Sequence, residues 1–141
     1  MRLRDLSPLL DIDATFVSLP KEVRAGDVEV LANSGVGRFG EQLGDFSDTA
    51  GLISQLDLVI SVDTGVAHLA GALGKPVWIL LTHAPDWRWL LDRDDTPWYP
   101  TARLFRQSDS RKWGSVVARV GEALVELMES RGERAGRSAT A

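Results

Sequence analysis

Cysteine is absent from the 141-residue sequence, and histidine occurs only twice, as His68 and His83. The first absence excludes disulfide bonds, thiolate chemistry and cysteine-ligated zinc. Two histidines are too few for a histidine-rich metal site. The sequence therefore predicts no metal site.

Long apolar segments and basic runs are absent as well. No run approaches the roughly 18 apolar residues that span a membrane, and residues 1–16 lack the apolar core of a signal peptide. We therefore expect a cytoplasmic protein. The net charge is −4, the isoelectric point is near 5.1, and no lysine and arginine run suits a nucleic-acid groove. Nucleic acid is not an expected partner.

The length suits one domain with a real hydrophobic core. The composition, 44% hydrophobic and 26% charged, is typical of a soluble globular protein. We place the domain at residues 1–130. Residues 131–141 are mostly small and polar, and we predict that they form a flexible tail.

The stretch from residue 58 to residue 81 predicts a strand, a helix and a second strand. Residues 58–62 are apolar and β-branched, which is typical of a buried strand, and Val77–Leu81 is a similar run. Between them apolar residues recur at helical spacing, Gly74 stands where helices often end, and Pro76 cannot continue a helix. Such a βαβ unit has parallel strands, and strands apolar on both faces imply helices on both sides of the sheet.

The turn between the first strand and the helix carries the candidate chemistry. Asp63 or Thr64 can cap the helix, and Gly65 lets a ligand approach the backbone. The helix presents free N–H groups at the carboxyl edge of a parallel sheet, where phosphates bind, and His68 lies close enough to donate to a phosphate oxygen. Equally, Asp63 and Thr64 could simply cap the helix, with His68 a half-buried surface residue.

The rest of the chain predicts a regular alternation of short elements. Helices are expected at residues 3–12, 49–56 and 113–130, the second capped by Ser47 or Asp48. Strands are expected at residues 15–19 and 103–106, with a weaker candidate at Val28–Ala32. Residues 33–44 contain four glycines and are expected to be mostly loop.

A loop of about twenty residues, 82–101, contains three of the five tryptophans. Tryptophan is unfavourable in water, so we expect the loop to pack down, with each tryptophan in the core and one helical turn near residues 87–91. Arg88 and Arg93 either line a ligand cleft or form surface ion pairs with the neighbouring aspartates. Both interpretations stay open.

Two segments resemble a known family. Residues 57–76 resemble the donor-binding motif of family 9, heptosyltransferase-like glycosyltransferases. Residues 84–95 and 97–100 resemble the C-terminal end of bacterial tetratricopeptide-repeat proteins that carry such a module. The resemblance covers roughly residues 3–127. It implies an α/β, Rossmann-like parallel sheet with helices on both faces, which is half of a two-domain GT-B fold.

The resemblance also implies roles for particular residues. Asp63, Thr64, Gly65 and His68 would hold the diphosphate of a nucleotide-sugar donor substrate. Asp48 and Thr49 would lie nearer the nucleoside, although capping alone would explain them. No catalytic residue and no further cofactor are assigned, and His83 departs from the family pattern and receives no role.

The resemblance implies absences too. The first strand of the Rossmann-like domain, and the N-terminal domain with the acceptor site and catalytic base, are not found in the sequence. We therefore expect no transfer by the chain alone. The first strand is central in Rossmann order, so its loss would leave two interior edges. A rearranged sheet, a homodimer or a complementary N-terminal half would have to cover them.

Three functions remain open from the sequence. The chain is the donor-binding half of a nucleotide-sugar glycosyltransferase, a non-catalytic domain that binds a nucleotide, an anion or a partner, or a degenerate scaffold without ligand. Nucleotide binding separates the first two from the third, and turnover separates the first from the second. The sugar, the nucleobase and the acceptor are not specified by the sequence.

Overall fold

The computed structural model describes residues 1–20 and 22–139. Its strands are β1 (Val17–Ser18), β2 (Gly37–Arg38), β3 (Val59–Val62), β4 (Val77–Leu81) and β5 (Ala102–Arg106). Its helices are α1 (Ser7–Leu10), α2 (Val28–Ala32), α3 (Phe46–Gln55), α4 (Gly65–Ala72) and α5 (Trp113–Ala139). Short 3₁₀ turns lie at Leu3–Leu6, Ala25–Asp27, Gly40–Gln42 and Trp87–Trp89.

The main sheet has three parallel strands in the order β3-β4-β5. Val59 of β3 pairs with Val77 of β4, and Val77 pairs with Ala102 of β5. All five residues of β4 are buried, as expected for a central strand that is covered on both faces. The predicted βαβ unit, made of β3, α4 and β4, is confirmed.

Two apolar layers cover this sheet, and β4 side chains alternate between them as strand geometry requires. The α3/α4 layer consists of Ile53, Val59, Ala67, Ala70, Val77, Ile79, Leu81, Trp89, Ala102 and Leu104. The α1/α5 layer consists of Leu9, Trp78, Leu80, Phe105, Val116, Val117, Val120, Ala123 and Leu124. The predicted α/β, Rossmann-like arrangement with helices on both faces is confirmed.

Helix α4 ends as predicted at a glycine. Gly74 has a φ of +68°, which glycine adopts without steric strain. Its N–H donates to the Gly71 carbonyl at 3.0 Å, and the Lys75 N–H donates to the Ala70 carbonyl at 3.0 Å. These bonds satisfy the last carbonyls of the helix and turn the chain into β4.

The prediction of a strand at Val28–Ala32 is wrong, because this segment is helix α2. Only Leu31 is buried in it, so the alternation of Val28 and Val30 has no sheet to pack against. A 3₁₀ turn precedes the helix, and the Asp27 carboxylate accepts the Leu3 N–H at 3.0 Å. The turn therefore starts a helix where residue type alone favoured a strand.

Two other boundaries also differ from the prediction. Helix α3 begins at Phe46 and is capped by Asp45, so neither Ser47 nor Asp48 is the cap. Helix α5 continues to Ala139 rather than ending near residue 130. Residues 140 and 141 lie outside the described part of the chain, and the flexibility of residues 131–141 stays a prediction.

A second, two-stranded parallel sheet pairs β1 with β2. β1 lies inside the strand predicted at residues 15–19, whereas β2 lies in residues 33–44, which were expected to be mostly loop. Phe16, just before β1, packs against the α1/α5 layer, and Leu19, just after it, packs against the α3/α4 layer. The two sheets therefore lie between the same two layers. Among residues 1–20 and 22–139, β3 has a strand neighbour on one side only. The sheet is thus interrupted, while its completion by a second copy or a partner stays a prediction.

In the part of the chain that the structure describes, no helix combines the length and the apolar character needed to cross a membrane. Helix α5 is the longest, and one face of it carries polar and charged residues.

The loop of residues 82–101 is anchored on α4 by a close contact. A Cβ atom at Gly71 would lie only 2.5 Å from Cγ of Tyr99, well inside van der Waals contact. The aromatic ring can pack there because the residue beneath it is glycine. The contact joins the loop to the helix that begins at the candidate site.

We expect Gly71→Ala to lower the free energy of unfolding by roughly 1–3 kcal/mol, because the added methyl group overlaps a rigid ring. In an unhindered helix the same change stabilises by about 0.5–1 kcal/mol. Gly51→Ala is the matched control, since no atom lies within 4 Å of a Cβ at this exposed position in α3. Urea denaturation compares the variants, and stabilisation of both would contradict the packing of Tyr99 on α4.

Candidate functional site

The turn after β3 lies at the carboxyl edge of the parallel sheet, the edge at which open α/β folds bind ligands. Asp63 and Thr64 form the turn, and α4 begins at Gly65. The loop of residues 82–101 starts from the same edge, because it follows β4. The sequence placed these features correctly on the fold.

The start of α4 is open. Thr64 occupies the N-cap position with an extended backbone, but its side chain caps no helical N–H. Its hydroxyl lies instead 3.0 Å from the hydroxyl of Ser61. Asp63 does not cap the helix either, because its carboxylate has other partners. The first N–H groups of α4 therefore lack a side-chain acceptor among the described residues, which leaves them free for an anion.

The start of α3, unlike that of α4, is capped by a side chain. Oδ1 of Asp45 accepts the Ser47 N–H at 2.7 Å and the Asp48 N–H at 3.1 Å. A carboxylate of the chain thus already occupies the place an anionic ligand would take. Of these two neighbouring helix starts, only that of α4 can accept one.

His68 is held by two polar contacts and one stacking contact. Its Nδ1 lies 2.9 Å from the Tyr99 hydroxyl, and its Nε2 lies 3.3 Å from Oδ1 of Asp63. Its ring stacks on Trp89 at 5.3 Å between centroids. Since a carboxylate only accepts, Nε2 carries a proton, and in the neutral ring Nδ1 then accepts the Tyr99 proton. A hydrogen bond from His68 to a phosphate therefore requires the exchange of one of these contacts.

Asp63 joins the turn to the aromatic loop. Its Oδ2 accepts the indole N–H of Trp89 at 2.8 Å, and Trp89 is completely buried. A carboxylate would repel a diphosphate, so its two protein partners suit a positioning role better than direct contact with phosphate. The partners Trp89 and Tyr99 were missed from the sequence, although the aromatic content of the loop pointed to packing.

Asp48 and Thr49 form local hydrogen bonds at the start of α3. Oδ2 of Asp48 accepts the Gly44 N–H at 2.8 Å, and the Thr49 hydroxyl donates to the Asp45 carbonyl at 3.0 Å. The side chains are therefore engaged in local structure, and their position near a nucleoside stays a prediction.

The tryptophans of the loop divide into two kinds. Trp89 lies in the core, whereas Trp87 is 71% and Trp98 is 55% exposed, so the core assignment is wrong for these two. The indole N–H of Trp98 donates to the Arg88 carbonyl at 2.9 Å. This bond satisfies the polar atom and leaves the face of the ring in solvent.

The arginines of the loop form ion pairs with nearby aspartates. Nη2 of Arg93 donates to Oδ2 of Asp95 at 2.8 Å, and Arg88 lies 3.3 Å from Asp86. The hydrogen bond to Asp95 raises the pKa of Arg93, and the same bond lowers the pKa of Asp95. These contacts agree with the surface ion-pair interpretation.

Arg106, at the end of β5, anchors the backbone of the loop of residues 82–101. Its guanidinium donates to the carbonyls of Arg93 and Trp89, and burial lowers its pKa. Its Nη1 is buried without a partner among the described residues. Sequence reasoning assigned this residue only to a strand, since nothing local indicates that the side chain folds back under the loop.

The carboxylate and imidazole side chains do not cluster in the described part of the chain. Among the side chains of residues 1–20 and 22–133, no three histidines, aspartates or glutamates lie close enough together to hold a metal ion. Asp63 and His68 meet as a pair, with aromatic neighbours rather than a third ligand.

Comparison with known proteins gives two matches. The sequence profile of glycosyltransferase family 9 (heptosyltransferase) matches residues 44–117, just over half of the chain. Protein FlbA of Caulobacter vibrioides is 36% identical over 86 residues, which are 61% of this chain and 14% of that protein. The chain thus spans a small part of this relative's length. No solved structure matches the present chain. The profile match contains the whole segment from α3 to β5, including the turn at Asp63.

We expect Asp63→Ala to lower the free energy of unfolding by about 1–3 kcal/mol, because it leaves the buried indole N–H of Trp89 without an acceptor. A double-mutant cycle with Trp89→Phe, read by urea denaturation, should give a coupling energy of roughly 1–2 kcal/mol. Asp109→Ala is the control, since this carboxylate is fully exposed and lies 3.6 Å from His83. Additive effects of Asp63→Ala and Trp89→Phe would refute the coupling.

Proposed function

The chain belongs to glycosyltransferase family 9, and on that premise we propose that it is the donor-binding half of a nucleotide-sugar glycosyltransferase. The ligand is the diphosphate of the donor, bound at the start of α4. The observation that carries the proposal is that this helix start is uncapped, while that of α3 is closed by Asp45.

The backbone of α4 supplies most of the attraction for the diphosphate. Free N–H groups at Gly65 and the following residues donate to phosphate oxygens, and the helix dipole favours negative charge there. The hydroxyls of Thr64 and Ser61, which now bond each other, can turn to a ligand oxygen. This arrangement lets a chain with net charge −4 bind an anion without a lysine or arginine at the turn.

His68 and Asp63 take different parts in the proposed site. His68 gives up its contact with either Asp63 or Tyr99 and donates the N–H of that ring nitrogen to a phosphate oxygen. Asp63 keeps the indole of Trp89, and so holds the loop beside the bound donor. Asp48 and Thr49 contribute near the nucleoside through the position of α3.

We also propose that the chain alone transfers no sugar. Transfer requires a base close to the acceptor hydroxyl and a cleft that excludes water. A complementary half would supply both, and a strand from it or from a second copy would cover the open edge of β3. Sugar transfer by the purified chain would overturn this proposal.

The wider setting is also a proposal. The chain spans 14% of Protein FlbA, which supports a place in a longer polypeptide. The association with tetratricopeptide repeats and the cytoplasmic location stay predictions.

Calorimetric titration with UDP, ADP and GDP tests the donor site. We expect micromolar binding of one nucleotide and about a 10-fold loss in His68→Ala, the usual effect of removing a charge-assisted hydrogen bond. His83→Ala is the matched control, because His83 contacts exposed Asp109 rather than the turn. Circular dichroism confirms that each variant is folded. The absence of binding by any nucleotide at millimolar concentration would refute the donor site.

A further inference from the structure

Phe46 is an exposed aromatic residue beside the open start of α4. It is the first residue of α3, and 66% of it is accessible to solvent. A Cβ atom placed on Gly65 would lie 3.5 Å from Cζ and 3.8 Å from Cε1 of this ring. The ring therefore lies in van der Waals reach of the first residue of α4.

Packing does not explain this placement. Phe46 belongs to neither of the two apolar layers, and α3 reaches the core through Ile53. The backbone around the ring is nevertheless well anchored, because Asp45 caps the two residues that follow it. The chain thus holds a large aromatic ring largely in solvent on an anchored backbone, within van der Waals reach of the first residue of α4, where the ring is available to a bound ligand.

We propose that Phe46 stacks on the nucleobase of the donor and so makes the site select nucleoside diphosphates over other diphosphates. The inference rests on the proposed function. A diphosphate at Gly65 brings its substituents next to this ring. Every nucleobase has a flat π-face that stacks on an aromatic side chain, and inorganic pyrophosphate has none.

The chemistry of the ring limits what it selects. Phenylalanine has no hydrogen-bonding group, so it binds the face of a base and does not read its edge. Phe46 therefore strengthens the binding of UDP, ADP and GDP relative to inorganic pyrophosphate. The choice among the three bases belongs to groups that reach the base edge.

The test titrates the wild-type chain, Phe46→Ala and Phe46→Trp with inorganic pyrophosphate and with the nucleoside diphosphate that binds best. In Phe46→Ala we expect nucleotide affinity to fall about 10-fold, as for the loss of one stacked base, and pyrophosphate affinity to stay within about twofold. Phe46→Trp should keep the nucleotide affinity. Phe39→Ala is the matched control, since Phe39 is also exposed, at 38%, but lies against Gly37 of β2.

Each other outcome overturns the inference. Unchanged nucleotide affinity in Phe46→Ala would show that the ring does not stack on the nucleobase. An equal loss for both ligands would show that it acts on the phosphate site. If the wild-type chain binds nucleotides no more tightly than pyrophosphate, the anion site is supported and the stacking of Phe46 on the nucleobase is refuted. If it binds neither, the proposed function fails as well.

Discussion

The carboxylate of Asp63 is the interaction on which the arrangement of the site depends. Trp89 is completely buried, and its indole N–H needs an acceptor, which Asp63 at the end of β3 supplies. The same carboxylate faces His68, which stacks on that indole and meets Tyr99. The sheet edge, the start of α4 and the loop of residues 82–101 therefore form one connected structure. A change in any of these partners reaches the others through contacts of a few ångströms.

The two neighbouring helix starts show how a small difference in local sequence separates structure from binding. An aspartate precedes α3 and accepts hydrogen bonds from two N–H groups at the start of that helix. A threonine precedes α4, and its hydroxyl bonds to Ser61 instead of to the helix. Capping stabilises a helix by about 1 kcal/mol, so the open start of α4 gives up stability that a single side chain could supply. At an exposed helix start without a side-chain cap, water or an anionic ligand supplies the missing acceptors.

Local patterns in the sequence predicted the parts of the fold that depend on local physics. The βαβ unit and the glycine end of α4 followed from periodicity and backbone freedom, and both are present. Val28–Ala32 became a helix because no strand lies beside it, which residue type cannot reveal. The partners of His68 were missed because Tyr99 is 31 residues away. The contrast between buried Trp89 and exposed Trp98 likewise depends on where the loop folds, since both are equally apolar in sequence.

In the described part of the chain, the two sheets are not joined by backbone hydrogen bonds, so they are held to each other less firmly than the strands within each sheet. A hydrogen-bonded ladder transmits order directly from strand to strand, and such a ladder connects β3, β4 and β5. Among the described residues, β1 and β2 join that unit through side chains such as Phe16 and Leu19 instead. Apolar contacts tolerate small sliding movements that backbone ladders do not. The pair of strands β1 and β2 can therefore separate from the main sheet as its own cooperative unit while the central βαβ unit stays folded.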